Sequence, residues 1–404
     1  MPAHESKKLT EHFFRHNYAR TVAILVKYFG LKQVEIAEDI VQDTLVEAME
    51  KWSIHSIPDN PEGWIMDVAK KKTINLLKRQ TNFQSKIIPN LNQSKFENEA
   101  EIADSTLQMI FACCHPDLPS ESQIALALKT LCGLSIPEIA RALMSSEENI
   151  NKRLYRAKRK FRDGTITLES TKLMNHNRLN NTLQVLYLLF NEGYFSAHHS
   201  CKIRLELCYE AIRLLTFIDE ASPSGKVNGL LAMMYLSVAR FESRISPLGE
   251  LILLEEQDRS MWDMELMAKG MRYLSESIRT KEVNSYQIQA GIIAEYCLAE
   301  DFRSTNWESI CLQYELLETL EQHPILTLNK AISMFHAGQQ REALELIDQL
   351  HHDPFLSKNA QLALAHAVLL RASGEGAKAD CMFQTALTLA TTDNEKELIM
   401  KRMS

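Results

Sequence analysis

The sequence predicts an all-α protein. Long stretches draw on Ala, Leu, Glu, Lys, Gln and Met, residues that lose little on entering a helix, while alternating β-branched runs are scarce. Thirteen glycines and 11 prolines in 404 residues are few. A chain of this length exceeds one ordinary core and implies roughly two to four domains.

The first domain is expected over residues 9–80. Phe13, Phe14, Ala19, Val22, Ala23, Val26 and Phe29 predict one buried stripe, which Gly30 can end. Val34 to Trp52 predicts a second helix, apolar on Val41, Leu45, Ala48 and Trp52. Its other side, Glu38, Asp39, Gln42, Asp43 and Glu47, is acidic and amide-bearing, a pattern that plain solvation also produces. Residues 53–64 hold Pro58 and Pro61 and read as a loop, with Asn60-Pro61 turning the chain into a third helix. That helix, Glu62 to Arg79, carries Trp64, Ile65, Val68, Ile74 and Leu77, and a basic patch of Lys70, Lys71, Lys72, Lys78 and Arg79. Residues 81–106 open with a polar, Asn/Gln/Ser-rich run containing Pro89 and are assigned to a linker.

Residues 107–165 predict a helix-turn-helix. Leu107, Ile110 and Phe111 begin a helix, and Gly133 and Pro137 punctuate the next connection. Ile136, Ile139, Ala140 and Leu143 give a short helix one apolar side. Ser146 can cap the last helix, where Glu147 and Glu148 suit the positive end of the dipole. Ile150, Leu154, Ala157 and Phe161 fall on one stripe. The other faces carry Asn149, Asn151, Lys152, Arg153, Arg156, Lys158, Arg159, Lys160 and Arg162, and point to DNA. A basic exposed face also occurs on helices that never meet nucleic acid. Basic residues give phosphate contacts, whereas Asn149, Asn151, Lys152 and Arg156 have donors and acceptors suited to base edges.

The order of these pieces resembles bacterial sigma factors of the extracytoplasmic-function group. AEDIVQDTLVEAMEKW is similar to the region 2 helix that docks on the beta-prime clamp of RNA polymerase core. PDNPEGWIMDVAKKKTINLLKR resembles the part that opens and reads the minus-ten element, and GLSIPEIARALMSSEENINKRLYRAKRKF resembles region 4, which reads the minus-thirty-five element. The resemblance implies polymerase contacts at Glu38, Asp39, Gln42 and Asp43. It implies a flipped base held by the loop from Ile57 to Asn60, and an opened strand supported by Trp64, Lys70, Lys71 and Lys72 with Arg79 in the same basic helix. Asn151, Lys152 and Arg156 would enter the major groove beside Asn149, with Arg153 and Arg159 on phosphates. The chain departs from the family at its basic helix, where Lys70-Lys71-Lys72 and Asn75 stand in place of the usual Arg-Asn and later Asp. Lysine is a point donor and arginine a planar fork, so promoter preference does not transfer.

Beyond residue 165 an ordinary short sigma factor would end. Here an extension domain is expected over 175–290, with helices at Asn180–Tyr194, Ile203–Phe217, Val227–Phe241 and Glu265–Ile278. Residues 291–404 contain an internal repeat: 326–350 aligns with 362–386, pairing Leu326 with Leu362, Leu328 with Leu364, Ala331 with Ala367, Gly338 with Gly374 and Ala343 with Ala379. Small residues at crossings and a glycine between helices match tetratricopeptide logic. The extension resembles a sigma-factor subgroup with a fused helical C-terminal domain, which implies control through that domain by a regulatory protein or ligand.

Charge agrees with this division. Residues 1–170 hold 23 Lys and Arg against 22 Asp and Glu, and the remainder 22 against 30. No apolar run approaches the ~18–20 residues needed to span a bilayer, so no membrane is expected. The polar start of the chain lacks the apolar core of an export signal, and the eight scattered cysteines read as cytoplasmic thiols. Cys113-Cys114-His115 with Cys132 does not match a zinc hook, and Glu192, His198 and His199 read as structural; no metal, cofactor or enzyme activity is expected. The competing reading is a stand-alone helix-turn-helix regulator that senses a ligand or partner through its repeats.

Overall fold

The computed structural model describes residues 17–18, 20–54, 57–79, 99–131, 133–143, 145–168, 176–194, 205–244, 252–354, 356–390 and 393–403. The expectations at Phe13, Phe14, Ala19, Cys132, His198, His199 and the run 80–98 lie outside these residues, as do the side chains of Lys78 and Arg79. Among the described residues there is helix and no strand, and the chain forms two compact units, Met1–Ser222 and Pro223–Ser404.

In the first unit, α1 (20–29) buries Val22, Ala23, Val26 and Phe29 and stops at Gly30, whose φ of 83° only glycine adopts readily. A short 3₁₀ turn leads into α2 (Val34–Ile54), which pairs with α3 (Pro61–Arg79) around Ala48 and Ile65, flanked by Leu45, Trp52 and Trp64. Next come α4 (Glu99–Cys113) and α5 (Ser120–Thr130). Helix α4 begins inside the stretch 81–106 that the sequence assigns to a linker. Its Ser105 and Thr106 are buried, and polar residues at inward positions hide the helical period.

Helix α5 is buried along nearly its whole length and acts as the hub of this unit. The Gln123 amide donates to the carbonyls of His115 (2.9 Å) and Leu118 (2.7 Å) and accepts from Asn181 Nδ2 at 2.6 Å. Asn181 lies on α8 (His176–Tyr194), which with α9 (Leu205–Ala221) completes the unit. The expected extension domain at 175–290 is therefore divided: its first two helices belong with the helix-turn-helix. Leu183, Leu186 and Phe190 are each 1% exposed, and periodicity does not say which neighbour covers them.

The second unit is a succession of antiparallel helices, α10 (Gly225–Val238), α11 (Met264–Arg279), α12 (Ser285–Leu298), α13 (Trp307–Leu320), α14 (Pro324–His336), α15 (Gln340–Leu350), α16 (Ala360–Ala372), α17 (Gly376–Leu389) and α18 (Asp393–Met403). The repeat seen in the sequence is two helical hairpins, α14–α15 and α16–α17. Ala331, Ala367, Ala343 and Ala379 are wholly buried at equivalent crossings, and Gly338 and Gly374 turn the chain at φ of 90° and 84°. No helix of the described residues is long and apolar enough to cross a membrane.

Candidate nucleic-acid interface

The helix-turn-helix consists of α6 (Ile136–Ala142) and α7 (Glu147–Arg162). A reciprocal capping box starts α6: the Ser135 amide donates to Glu138 Oε2 at 2.7 Å, and the Glu138 amide donates to Ser135 Oγ at 3.4 Å. Ser146 caps α7, its hydroxyl accepting from the Asn149 amide at 3.3 Å. Ile150, Leu154, Ala157 and Phe161 are the buried stripe of α7, as their spacing predicts. Burial of the three large members contributes about 1.5–3 kcal/mol each, which fixes how the helix is rotated.

That rotation turns Asn149, Asn151, Lys152, Tyr155, Arg156, Arg159 and Arg162 to solvent. Lys152 pairs with Glu148 at 2.7 Å and Arg159 with Asp163 at 3.6 Å; both pairs are exposed and readily exchanged for phosphate. Tyr155, 59% exposed, has the Arg162 guanidinium 5.5 Å from its ring centre. The sequence reading passes over it, although a step of three from Lys152 and four to Arg159 places it on the outward face. Arg153 departs from its expected phosphate role: it is turned back to Glu121 at 2.5 Å and is 22% exposed.

On α2, Asp39, Gln42 and Asp43 are exposed. Exposed Val46 and Met49, at 50% and 55%, continue the same face one and two turns on, and sequence reading misses them as apolar residues on a charged side. Glu38 does not stand on that surface. It is 6% exposed, and its carboxylate accepts from Thr130 Oγ1 at 2.8 Å and Lys158 Nζ at 2.5 Å. Burial, with Glu38 and Asp39 nearby, pushes the Tyr18 phenol well above its ordinary value.

The loop ahead of α3 exposes Ile57, at 64%. Asn60 is exposed, but its side-chain oxygen accepts from the Gly63 amide at 2.9 Å, so it serves as the cap of α3. Trp64 is half-buried edge-to-face on Trp52, with ring centres 5.5 Å apart, rather than offering a free stacking face. The three lysines part company. Lys70 lies 5.6 Å from the Tyr28 ring centre, Lys71 is exposed, and Lys72 pairs with Glu47 at 2.9 Å. Hydrogen bonds from Lys51 and Lys72 hold the Glu47 carboxyl below the usual carboxylate range. Cys113, Cys114 and His115 are buried in the first unit, and the described residues hold no group of three or more candidate metal ligands.

Residues 13–83 match the family model described as sigma-70 region 2, and residues 108–161 match that of sigma-70 region 4. Residues 178–278 match a family described as of unknown function (DUF6596), which straddles the division between the two units. An uncharacterized protein, R00370, of Rhizobium meliloti (strain 1021) is 30% identical over 395 residues, 95% of this chain and 92% of that protein. No solved structure matches. The two matched regions, in this order and on this helical architecture, define a transcription-initiation subunit. The chain belongs to the sigma-70 factors, of the extracytoplasmic-function type with an additional C-terminal domain. As an alternative sigma factor it directs RNA polymerase core to promoter DNA.

Proposed function

We propose that the labour within this sigma factor is divided among three surfaces. Asp39, Gln42 and Asp43, with Val46 and Met49, form the surface that docks on the beta-prime clamp of polymerase core. Ile57 and the loop to Asn60, with Lys70 and Lys71 behind them, meet the opened minus-ten element, while Trp64 with Trp52 props the loop. Asn149, Asn151, Lys152, Tyr155 and Arg156 enter the major groove of the minus-thirty-five element, and Arg159 and Arg162 lie along phosphates. The observation that supports this most is the outward face of α7, where bidentate and amide side chains stand together beyond a fully buried stripe.

The C-terminal unit is the control domain, read by a regulatory protein or ligand, and carries no catalytic activity. Leu312, Leu316 and Leu320, exposed at 65%, 44% and 46% on successive turns of α13, support a surface that receives something. Removing residues 223–404 abolishes promoter-specific transcription on this reading, because the domain is a required part. Purified chain mixed with core polymerase should co-elute with it, and footprinting with a matched promoter should protect both elements. Promoter binding by the chain alone, without association with core, would overturn the docking assignment and favour a stand-alone regulator.

A further inference from the structure

Between α10 and α11 the second unit runs through Ile252–Trp262, ILLEEQDRSMW, in two single 3₁₀ turns, Leu254–Glu256 and Arg259–Met261, joined by extended backbone at Gln257 and Asp258. Three side chains anchor this segment. Trp262 is 5% exposed in a cluster with Leu236, Ala239, Met267 and Ala294, and its indole N–H donates to Ser243 Oγ at 2.7 Å. Leu254 packs against the same cluster. Arg259 lies 4.7 Å from the Trp262 ring centre and donates to the carbonyls of Tyr296 and Ala299, both at 2.6 Å. Carbonyls at a helix C-terminus lack partners within their own helix, so this guanidinium caps α12. Glu255 and Glu256 take no part in the anchoring. Glu255 pairs with Arg402, and Glu256 with Lys401 at 2.9 Å. Both partners stand in the last turn of α18, 147 and 145 positions further along the chain.

The receiving end is held in place from behind. Arg371 on α16 donates to the carbonyls of Arg402 and Met403 at 3.0 and 2.9 Å, closing the C-terminus of α18, and pairs with Asp380 on α17 at 3.1 Å. Asp380 thus answers Arg371, while Lys401 and Arg402 are answered by the segment. The pair of cations is a local exception, because residues 223–404 hold 17 Lys and Arg against 25 Asp and Glu. That surrounding negative field repels a phosphate polymer, whereas two adjacent carboxylates on a peptide fit the pair of cations, as those of Glu255 and Glu256 do. The seat is also exchangeable. The Lys401 and Glu256 side chains are 53% and 37% exposed, and ion pairs so exposed hold weakly.

We propose that Lys401 and Arg402 form a docking site for an acidic segment of a protein partner, and that Glu255 and Glu256 fill this site from within when the partner is absent. The inference rests on the C-terminal unit being the control domain. The partner supplies two neighbouring carboxylates and displaces those of the segment. Trp262, Leu254 and Arg259 keep the rest of the segment in place, so the exchange unfolds nothing. A site filled from within nine-tenths of the time binds its partner about tenfold more weakly than one left open. The internal glutamates thereby set the partner concentration at which the unit responds.

Three measurements on the full chain test this. Carbodiimide, which couples paired amines and carboxylates, should join Lys401 to Glu256 in the unaltered chain, read by mass spectrometry. Excess peptide LLEEQD, the sequence of residues 253–258, should suppress that cross-link. A missing cross-link, or one that the peptide leaves untouched, would overturn the proposal without need of any variant. Fluorescein-labelled LLEEQD should bind the chain carrying Glu255→Gln and Glu256→Gln about tenfold more tightly than the unaltered chain. Adding Lys401→Gln and Arg402→Gln should abolish that binding, with melting curves showing that each chain is folded. Equal binding to all of these chains would also overturn the proposal, and displacement of the peptide by an equal concentration of inorganic phosphate would replace the peptide site with a general anion site. Promoter transcription by core polymerase with the Glu255→Gln, Glu256→Gln chain should change when LLEEQD is added. Binding without any change in transcription would leave the docking site standing and sink the control reading.

Discussion

At the scale of one residue, the proposed major-groove role of α7 rests on Arg156 and Tyr155. Both stand on the face of α7 opposite its buried stripe, and neither supports the fold. Arg156→Ala should lower promoter-specific transcription by about tenfold or more, the effect of losing ~1–3 kcal/mol of base discrimination. Its thermal unfolding should stay within ~0.5 kcal/mol of the parent. A lowered melting temperature with unchanged transcription would reverse that assignment. Tyr155→Ala should act in the same direction, and a promoter library transcribed by both variants would show which base positions each one reads. Ser146 works through backbone geometry instead. Ser146→Ala removes the acceptor for the Asn149 amide and should cost ~1 kcal/mol of local stability, seen as faster hydrogen exchange in the first turn of α7. Unchanged exchange there would mean that the buried stripe alone holds the helix end.

At the scale of elements, α5 and the repeat hairpins carry the architecture. Gln123 fastens the loop after α4 and the start of α8 to the hub helix through three hydrogen bonds. Gln123→Leu leaves two carbonyls and the Asn181 amide without that partner, and the expected loss is ~1–3 kcal/mol per stranded group. Chemical denaturation followed by hydrogen exchange in α5 and α8 would register it; a stability equal to the parent would show that water replaces the amide at no cost. In the second unit His336, Phe302 and Trp307 form a cluster of three mutually touching rings, His336 stacked on Trp307 and edge-to-face with Phe302, and His366 is 7% exposed beside His351. Desolvation lowers the pKa of both below the ordinary 6.5, against the smaller pull of Glu255 on His336 and of Asp348 on His366. The unfolded chain therefore takes up protons first as pH falls. The stability contribution is full above about pH 6.5 and is lost as pH drops from there through the depressed folded values. Amide exchange in α14 and α16, corrected for the intrinsic rate, should accelerate between pH 7 and pH 5. Protection that is flat or rising over that range would contradict neutral burial of the two rings.

For the whole molecule, the decisive feature is where the chain divides. A protein ending at residue 222 keeps α8 and α9 on the helix-turn-helix domain and should remain soluble with a cooperative melt. One ending near residue 170 strips the cover from α4 and α5 and should aggregate or melt without cooperativity, because apolar area matched to Leu183, Leu186 and Phe190 meets water. Comparable solubility of the two chains would show that α8 and α9 are an attachment rather than part of the core. The C-terminal unit should therefore be defined as residues 223–404, and truncation experiments designed around that boundary.

Much of the fold was legible in the order of residues. Periods of three and four identified the buried stripe of α7, the caps at Ser146 and Asn60-Pro61 marked helix starts, and an offset of 36 between like residues found both hairpins. These are local properties, set by dihedral preference and by which side of one helix is apolar. The sequence likewise determined the family, because its two promoter-reading blocks are contiguous motifs. What only the tertiary structure decided is which surfaces are free. Glu38 and Arg153 look like ordinary charges on outward helix faces, yet each is taken by a partner, Lys158 with Thr130 in one case and Glu121 in the other. Trp64 looks like a stacking platform and is spent on Trp52. Helices α8 and α9 carry apolar faces that fit many neighbours, and only packing shows that they complete the core around α4 and α5. Pairing between residues a hundred positions apart leaves no periodic trace, because it depends on how domains meet rather than on how a helix winds.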